Sequence, residues 1–286
     1  MSSRNTTPRQ LGRGWRRPPG RHGPVPVRIY TPDRAGNAPC LVWMHGGAFI
    51  TGDLDMPEAD WVARELAART AAIVISVDYR LCTDGVTYPG PHDDVVAAMR
   101  WVRQNAQSLG VNAGRLSIGG ASAGANLAAG AALKLRDADG WQPVQLILAY
   151  PVAHPVVPAP SVSLAALMTE VPEILRFPPA ATHAYHVNYL GGPVSRADGY
   201  AFPALAARDG LAPALVMNAE YDDLRASGEA FSAALALASV DVRQVQVKTM
   251  LHGFLNLPGN LEPVSAALDL IARTVGAARE PARRMQ

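Results

Sequence analysis

A serine hydroxyl attacks a carbonyl efficiently only when a base takes its proton and a third group holds that base in place. One serine in this chain sits in a setting suited to that work. Residues 115–126 read RLSIGGASAGAN, so Ser122 is flanked by Gly120, Ala121, Ala123 and Gly124. An apolar run precedes this G-x-S-x-G pattern and an Ala/Leu-rich stretch follows it. That context predicts a sharp strand-to-helix turn, where the flanking residues must be small. The helix beyond offers unpaired N–H groups and a positive dipole end to a developing oxyanion. Taken alone the pattern is short, and a glycine-rich turn capped by a serine satisfies it too.

A second small-residue segment, His45-Gly46-Gly47-Ala48-Phe49, follows the apolar run 41–44. Small residues at a strand end let backbone N–H groups point into a cavity, the place for the other half of an oxyanion hole. After the serine, the acid and then the histidine are expected in chain order. Beyond residue 190 there is one histidine, His252, in the loop-like sequence MLHGF. Upstream of it, the run 214–218 leads into Glu220, Asp222 and Asp223. Asp222 is the first choice for the acid that orients His252, with Asp223 and Glu220 as alternatives.

These residues need a frame. Strand-like runs occur at 25–30, 41–44, 72–77, 115–118, 145–149, 214–218 and 243–249. Several are continuously apolar, as in strands buried on both faces of a parallel sheet. Stretches with helical spacing lie between them at 57–69, 91–107, 123–136, 225–238 and 262–277. Strand and helix in alternation predict a doubly wound α/β fold with a mostly parallel sheet. Residues 151–203 break the rhythm with many prolines and two helix candidates, near 163–175 and 179–189. This segment is expected to be a cap inserted over one end of the sheet.

Residues 1–22 hold six arginines and no acid. Removing those six from 26 leaves 20 basic against 24 acidic residues, so the body carries a net charge of −4. The Arg/Pro/Gly-rich leader is expected to be a disordered, solvated arm preceding a single domain at 23–286, not a nucleic-acid or membrane-binding element. No secretory h-region and no membrane-length apolar run is present, so a cytoplasmic protein is expected. Cys40 opens an apolar run and is expected to be buried, and Cys82 to be partly exposed. Neither has a partner at metal-ligand spacing, so no metal is expected.

Several of these segments together resemble the bacterial hormone-sensitive-lipase family of esterases. His45 to Phe49 resembles its HGGGF, Asp78-Tyr79-Arg80-Leu81 its DYRL, and Gly120 to Asn126 its GDSAGGN. Asp222 to Arg225 matches its D-x-L-R and His252-Gly253-Phe254 its HGF. The resemblance spans about Pro24 to Ala277 and implies an α/β-hydrolase fold. It implies a triad of Ser122, Asp222 and His252, and an oxyanion hole from the N–H groups of Gly47, Ala48 and Ala123, with Gly46 shaping the turn. It further implies hydrolysis of short-acyl carboxylic esters without a cofactor, a small-molecule ester as partner, and a homodimer as the assembly. From motif adjacency and cap position, Phe49, Met168, Phe177, His186 and Phe254 are expected to wall the substrate pocket. A deacetylase, lactonase or cyclase acting on one biosynthetic intermediate is an alternative. So is a non-catalytic small-molecule binder, as in plant gibberellin receptors, which resemble this family but lack the histidine. Two motif positions depart from the family: Ala48 replaces a glycine and Ala121 replaces an aspartate. Family members begin with a long helical cap, and the Arg/Pro/Gly-rich residues 1–22 in that place are not expected to form helix.

Overall fold

In the computed structural model, residues 11–33 and 36–279 are described. Eight strands form one sheet: β1 (Gly12–Arg16), β2 (Val27–Thr31), β3 (Ala38–Met44), β4 (Ile73–Val77), β5 (Val111–Ala121), β6 (Leu146–Ala149), β7 (Ala214–Tyr221) and β8 (Val242–Leu251). Their order is β1-β2-β4-β3-β5-β6-β7-β8. β1 and β2 pair antiparallel, as do β2 and β4, and every later pairing is parallel.

The apolar runs make these strands because both sheet faces are covered. In β3 all seven residues are buried. Cys40, Val42 and Met44 face one core and Leu41 and Trp43 the other, as a strand's two-residue alternation requires. Helices α2 (Gly90–Gln104), α3 (Ala123–Asp139) and α6 (Arg225–Leu237) pack on the first face. Helices α1 (Asp60–Arg69) and α7 (Glu262–Ala277) pack on the second. Trp43 alone illustrates the fit: its fully buried indole N–H donates to the Glu58 carbonyl at 2.9 Å.

The N-terminal expectation is corrected over residues 11–22. Gly12–Arg16 form the edge strand β1 rather than a disordered arm. The Arg28 guanidinium, buried and bonded to Asp55 and Asp60, lies 4.2 Å from the centre of the Trp15 ring. Arg13 pairs with Asp60 at 3.0 Å. Side chains thus hold a strand that has almost no apolar pattern of its own. The first ten residues of the expected arm lie outside the described residues.

Between β6 and β7 the chain carries α4 (Val162–Met168), a 3-10 turn at Glu173–Leu175 and α5 (Pro179–Leu190). The helix expected over 163–175 stops at Met168, since Pro172 cannot continue it. Cys82, expected to be partly exposed, is buried at 4% exposure, and both cysteines are free. Among the described residues no helix is long and apolar enough to cross a membrane.

Candidate functional site

Ser122 stands between β5 and α3 with φ 53° and ψ −116°. That left-handed backbone is costly for a residue with a Cβ, of order 1–3 kcal/mol. The surroundings enforce it: the Ser122 N–H donates to Ala149 O at 2.9 Å, and the Ser122 carbonyl accepts from Ala125 and Asn126. The turn therefore projects the hydroxyl away from the sheet end instead of letting it cap the helix, and no side-chain cap bond forms.

His252 follows β8, where Gly253 in the left-handed region turns the chain back. Its Nε2 is 2.9 Å from Ser122 Oγ and its Nδ1 is 2.8 Å from Asp222 Oδ2. Asp222, at the end of β7, is buried, and its other oxygen accepts the Leu224 N–H at 2.8 Å. Burial pulls the His252 pKa down, but the Asp222 charge and hydrogen bond, with Glu58 and Asp223 nearby, raise it overall above the ordinary imidazole value. Residues 130 and 30 positions apart in sequence thus form one hydrogen-bonded line. The alternatives for the acid point elsewhere. Asp223 pairs with Arg176, and Glu220 with Lys248.

The segment after β3 has its own supports. Gly47 has φ +113°, and the N–H groups of Ile50 and Thr51 both donate to its carbonyl. Ala48 and Phe49 follow with φ 51° and 67°. Tyr79 stacks on His45 and donates to the His45 carbonyl at 2.8 Å, which accounts for the tyrosine of the DYRL motif. Burial lowers the His45 pKa, so this ring is a neutral structural member of the loop.

Sequence reasoning missed Glu58. This buried carboxylate accepts the Gly46 N–H at 2.5 Å, and its other oxygen accepts from Tyr150 Oη and from Asn256 Nδ2. A Cβ at residue 46 would come within 2.6 Å of Glu58, so that close approach needs glycine. Burial raises the Glu58 pKa against the hydrogen bonds it accepts. The Tyr150 ring meets His252 edge-on at 4.9 Å, so one buried cluster touches both the glycine loop and the imidazole. No motif marks Glu58; its only sequence signal is an acid directly before an apolar helical face.

A cavity of about 380 Å³ opens over Ser122. Its walls include Gly47, Ala48, Ala123 and His252, and the expected Phe49, Phe177 and His186. Met168 and Phe254, also expected there, do not line it. Met168, on α4 of the insertion, packs with Leu164 and with Ala226 of α6, and Phe254 is buried against Tyr150. His186 Nδ1 is 2.8 Å from the Pro155 carbonyl, and burial lowers its pKa. Thr182 and Tyr185, also on α5, complete that wall. Among the described residues no group of three or more His, Cys, Asp or Glu is placed to hold a metal.

The family described as alpha/beta hydrolase fold matches residues 41–256. Carboxylesterase NlhH of Mycobacterium tuberculosis is 35% identical over 263 residues, which are 88% of this chain and 79% of that protein. The Pyrobaculum calidifontis esterase has a TM-score of 0.83 at 33% identity, covering 95% of this chain and 86% of that one. EstE1, a thermophilic carboxylesterase cloned from a metagenomic library, has a TM-score of 0.86 at 31% identity over 96% of this chain and 92% of its own. This chain therefore belongs to the α/β-hydrolase family, in its hormone-sensitive-lipase-like branch.

Proposed function

We propose that this chain is a serine carboxylesterase that hydrolyses short-acyl esters through an acyl-enzyme. The observation that carries the reading is the line from Asp222 through His252 to Ser122, ending at a cavity. Ser122 Oγ attacks the ester carbonyl carbon as His252 Nε2 takes its proton, and Asp222 steadies the imidazolium. The N–H groups of Gly47, Ala48 and Ala123 hold the tetrahedral oxyanion, while the Gly46 N–H, engaged by Glu58, sets the loop. His252 then returns the proton to the leaving alkoxide as the carbon–oxygen bond breaks. Water, deprotonated by the same imidazole, releases the acid by the reverse route.

The cavity is at the small end of the usual range for ligand pockets and largely apolar, which favours short acyl groups. The relatives named as esterases support the same class of reaction. The presence of His252 within reach of Ser122 favours an enzyme over a silent binder. A fluorophosphonate probe tests this directly. One adduct per chain, mapped to Ser122, is expected; a folded protein that stays unlabelled contradicts the reading.

A further inference from the structure

Three carboxylates follow the core of β7, and each has a different partner. Asp222 holds His252. Glu220 accepts from Lys248 Nζ and from the Thr249 N–H, both at 2.8 Å, and stays on the β7–β8 edge. Asp223 turns to the insertion: Oδ1 accepts from Arg176 Nη2 at 2.7 Å, and Oδ2 from the Phe177 N–H at 2.9 Å and Arg176 Nε at 3.3 Å. The Asp223 side chain is only 11% exposed, which strengthens a charged pair of this geometry.

The clamped backbone is the one that carries Phe177. That ring lines the cavity and meets the His252 ring edge-on, with centroids 4.7 Å apart. Helix α5 starts two residues later and brings Thr182, Tyr185 and His186 to the same wall. The residue beside the acid therefore fixes the part of the insertion that stands over the base.

We infer that Asp223 is a positioning residue for substrate selection: through Arg176 and the Phe177 N–H it fixes the Phe177 ring as the cavity wall beside His252, and so sets the bulk of ester that reaches Ser122. The inference rests on reading Ser122 and His252 as the reacting pair.

The test compares Asp223→Asn, Arg176→Gln, Phe177→Ala and the Asp223→Asn/Phe177→Ala double variant. Substrates are p-nitrophenyl esters from acetate to octanoate and acetates of alcohols from ethyl to hexyl. Each single variant is expected to raise kcat/KM for bulky over small esters in at least one series by about fivefold, more through KM than kcat. The double variant is expected to shift no further than Phe177→Ala alone, because both changes act through one ring. Amide hydrogen exchange at Phe177 is expected to speed up in Asp223→Asn, and this readout needs no turnover. Unchanged selectivity in Asp223→Asn and Arg176→Gln, a fully additive double variant, or unchanged Phe177 exchange overturns the inference. Arg176→Gln, altering a side chain 30% exposed, keeps the test decisive if Asp223→Asn fails to fold. Loss of the Ser122 reading shows separately, as turnover that survives Ser122→Ala.

Discussion

Glu58 accepts the backbone N–H of Gly46 at 2.5 Å and so ties the glycine loop after β3 to a buried carboxylate twelve residues downstream. The same carboxylate accepts from Asn256, four residues past His252. The loop that would bind the oxyanion and the loop that carries His252 thus share one anchor. A buried carboxylate whose two oxygens both accept hydrogen bonds is hard to replace, because its donors are left without partners when it goes.

Glu58→Gln tests that anchor. The amide would have to turn an NH2 group toward donors, leaving at least one of them unpaired. We expect kcat to fall by about 10–100-fold, less than for loss of a full oxyanion donor, with stability lowered by about 1–3 kcal/mol. Steady-state kinetics and thermal unfolding read both effects. Unchanged kcat in a folded variant contradicts the anchoring role.

The pH profile tests the coupling of His252 to Asp222. In the proposed mechanism the base works as neutral imidazole, and its pKa is raised despite burial because the Asp222 charge and hydrogen bond, with the Glu58 and Asp223 charges, together outweigh the desolvation. Activity should therefore be lost as pH falls, with the acid-limb midpoint of kcat/KM above the ordinary value of about 6.5. The sign for stability is opposite: a raised folded pKa stabilises the fold below about pH 6.5, and that contribution is lost as pH rises through the raised value. Asp222→Asn should move the midpoint down and cut kcat by about 10⁴-fold. A midpoint at or below 6.5 in the native chain would contradict this.

Neighbouring residues in the glycine loop should respond differently. Gly47, at φ +113° and with its carbonyl holding two N–H groups, has no room for a side chain. Gly47→Ala should lower kcat by about 10²-fold or more. Ala48 already tolerates φ 51°. Ala48→Gly relieves that strain but frees the unfolded chain, so stability should change by less than about 1 kcal/mol. Equal kinetic losses for the two variants would contradict the assignment of roles in this loop.

Much of the candidate site is legible because the proposed chemistry imposes order on sequence. Ser122 needs small neighbours, and Asp222 and His252 must lie at the ends of β7 and β8, so each carries a local signature. The parallel strands were legible because burial on both faces writes continuous apolar runs, as in β3 and β4. Other features leave no such trace. Glu58 acts through a fold-level meeting with Gly46, Tyr150 and Asn256. β1 is held by Trp15 on the Arg28 guanidinium, a contact without apolar periodicity. Met168 and Phe254 stand off the cavity despite their motif or insertion positions, because nearness to a motif in sequence does not say which way a side chain faces.

In the proposed mechanism Ser122 forms the acyl-enzyme. The most direct test of that role is kcat/KM for p-nitrophenyl butyrate with native chain and Ser122→Ala, the fold being checked by circular dichroism. A loss of at least about 10⁴-fold is expected in the folded variant. Turnover within about tenfold of the native chain would show that another group performs the attack.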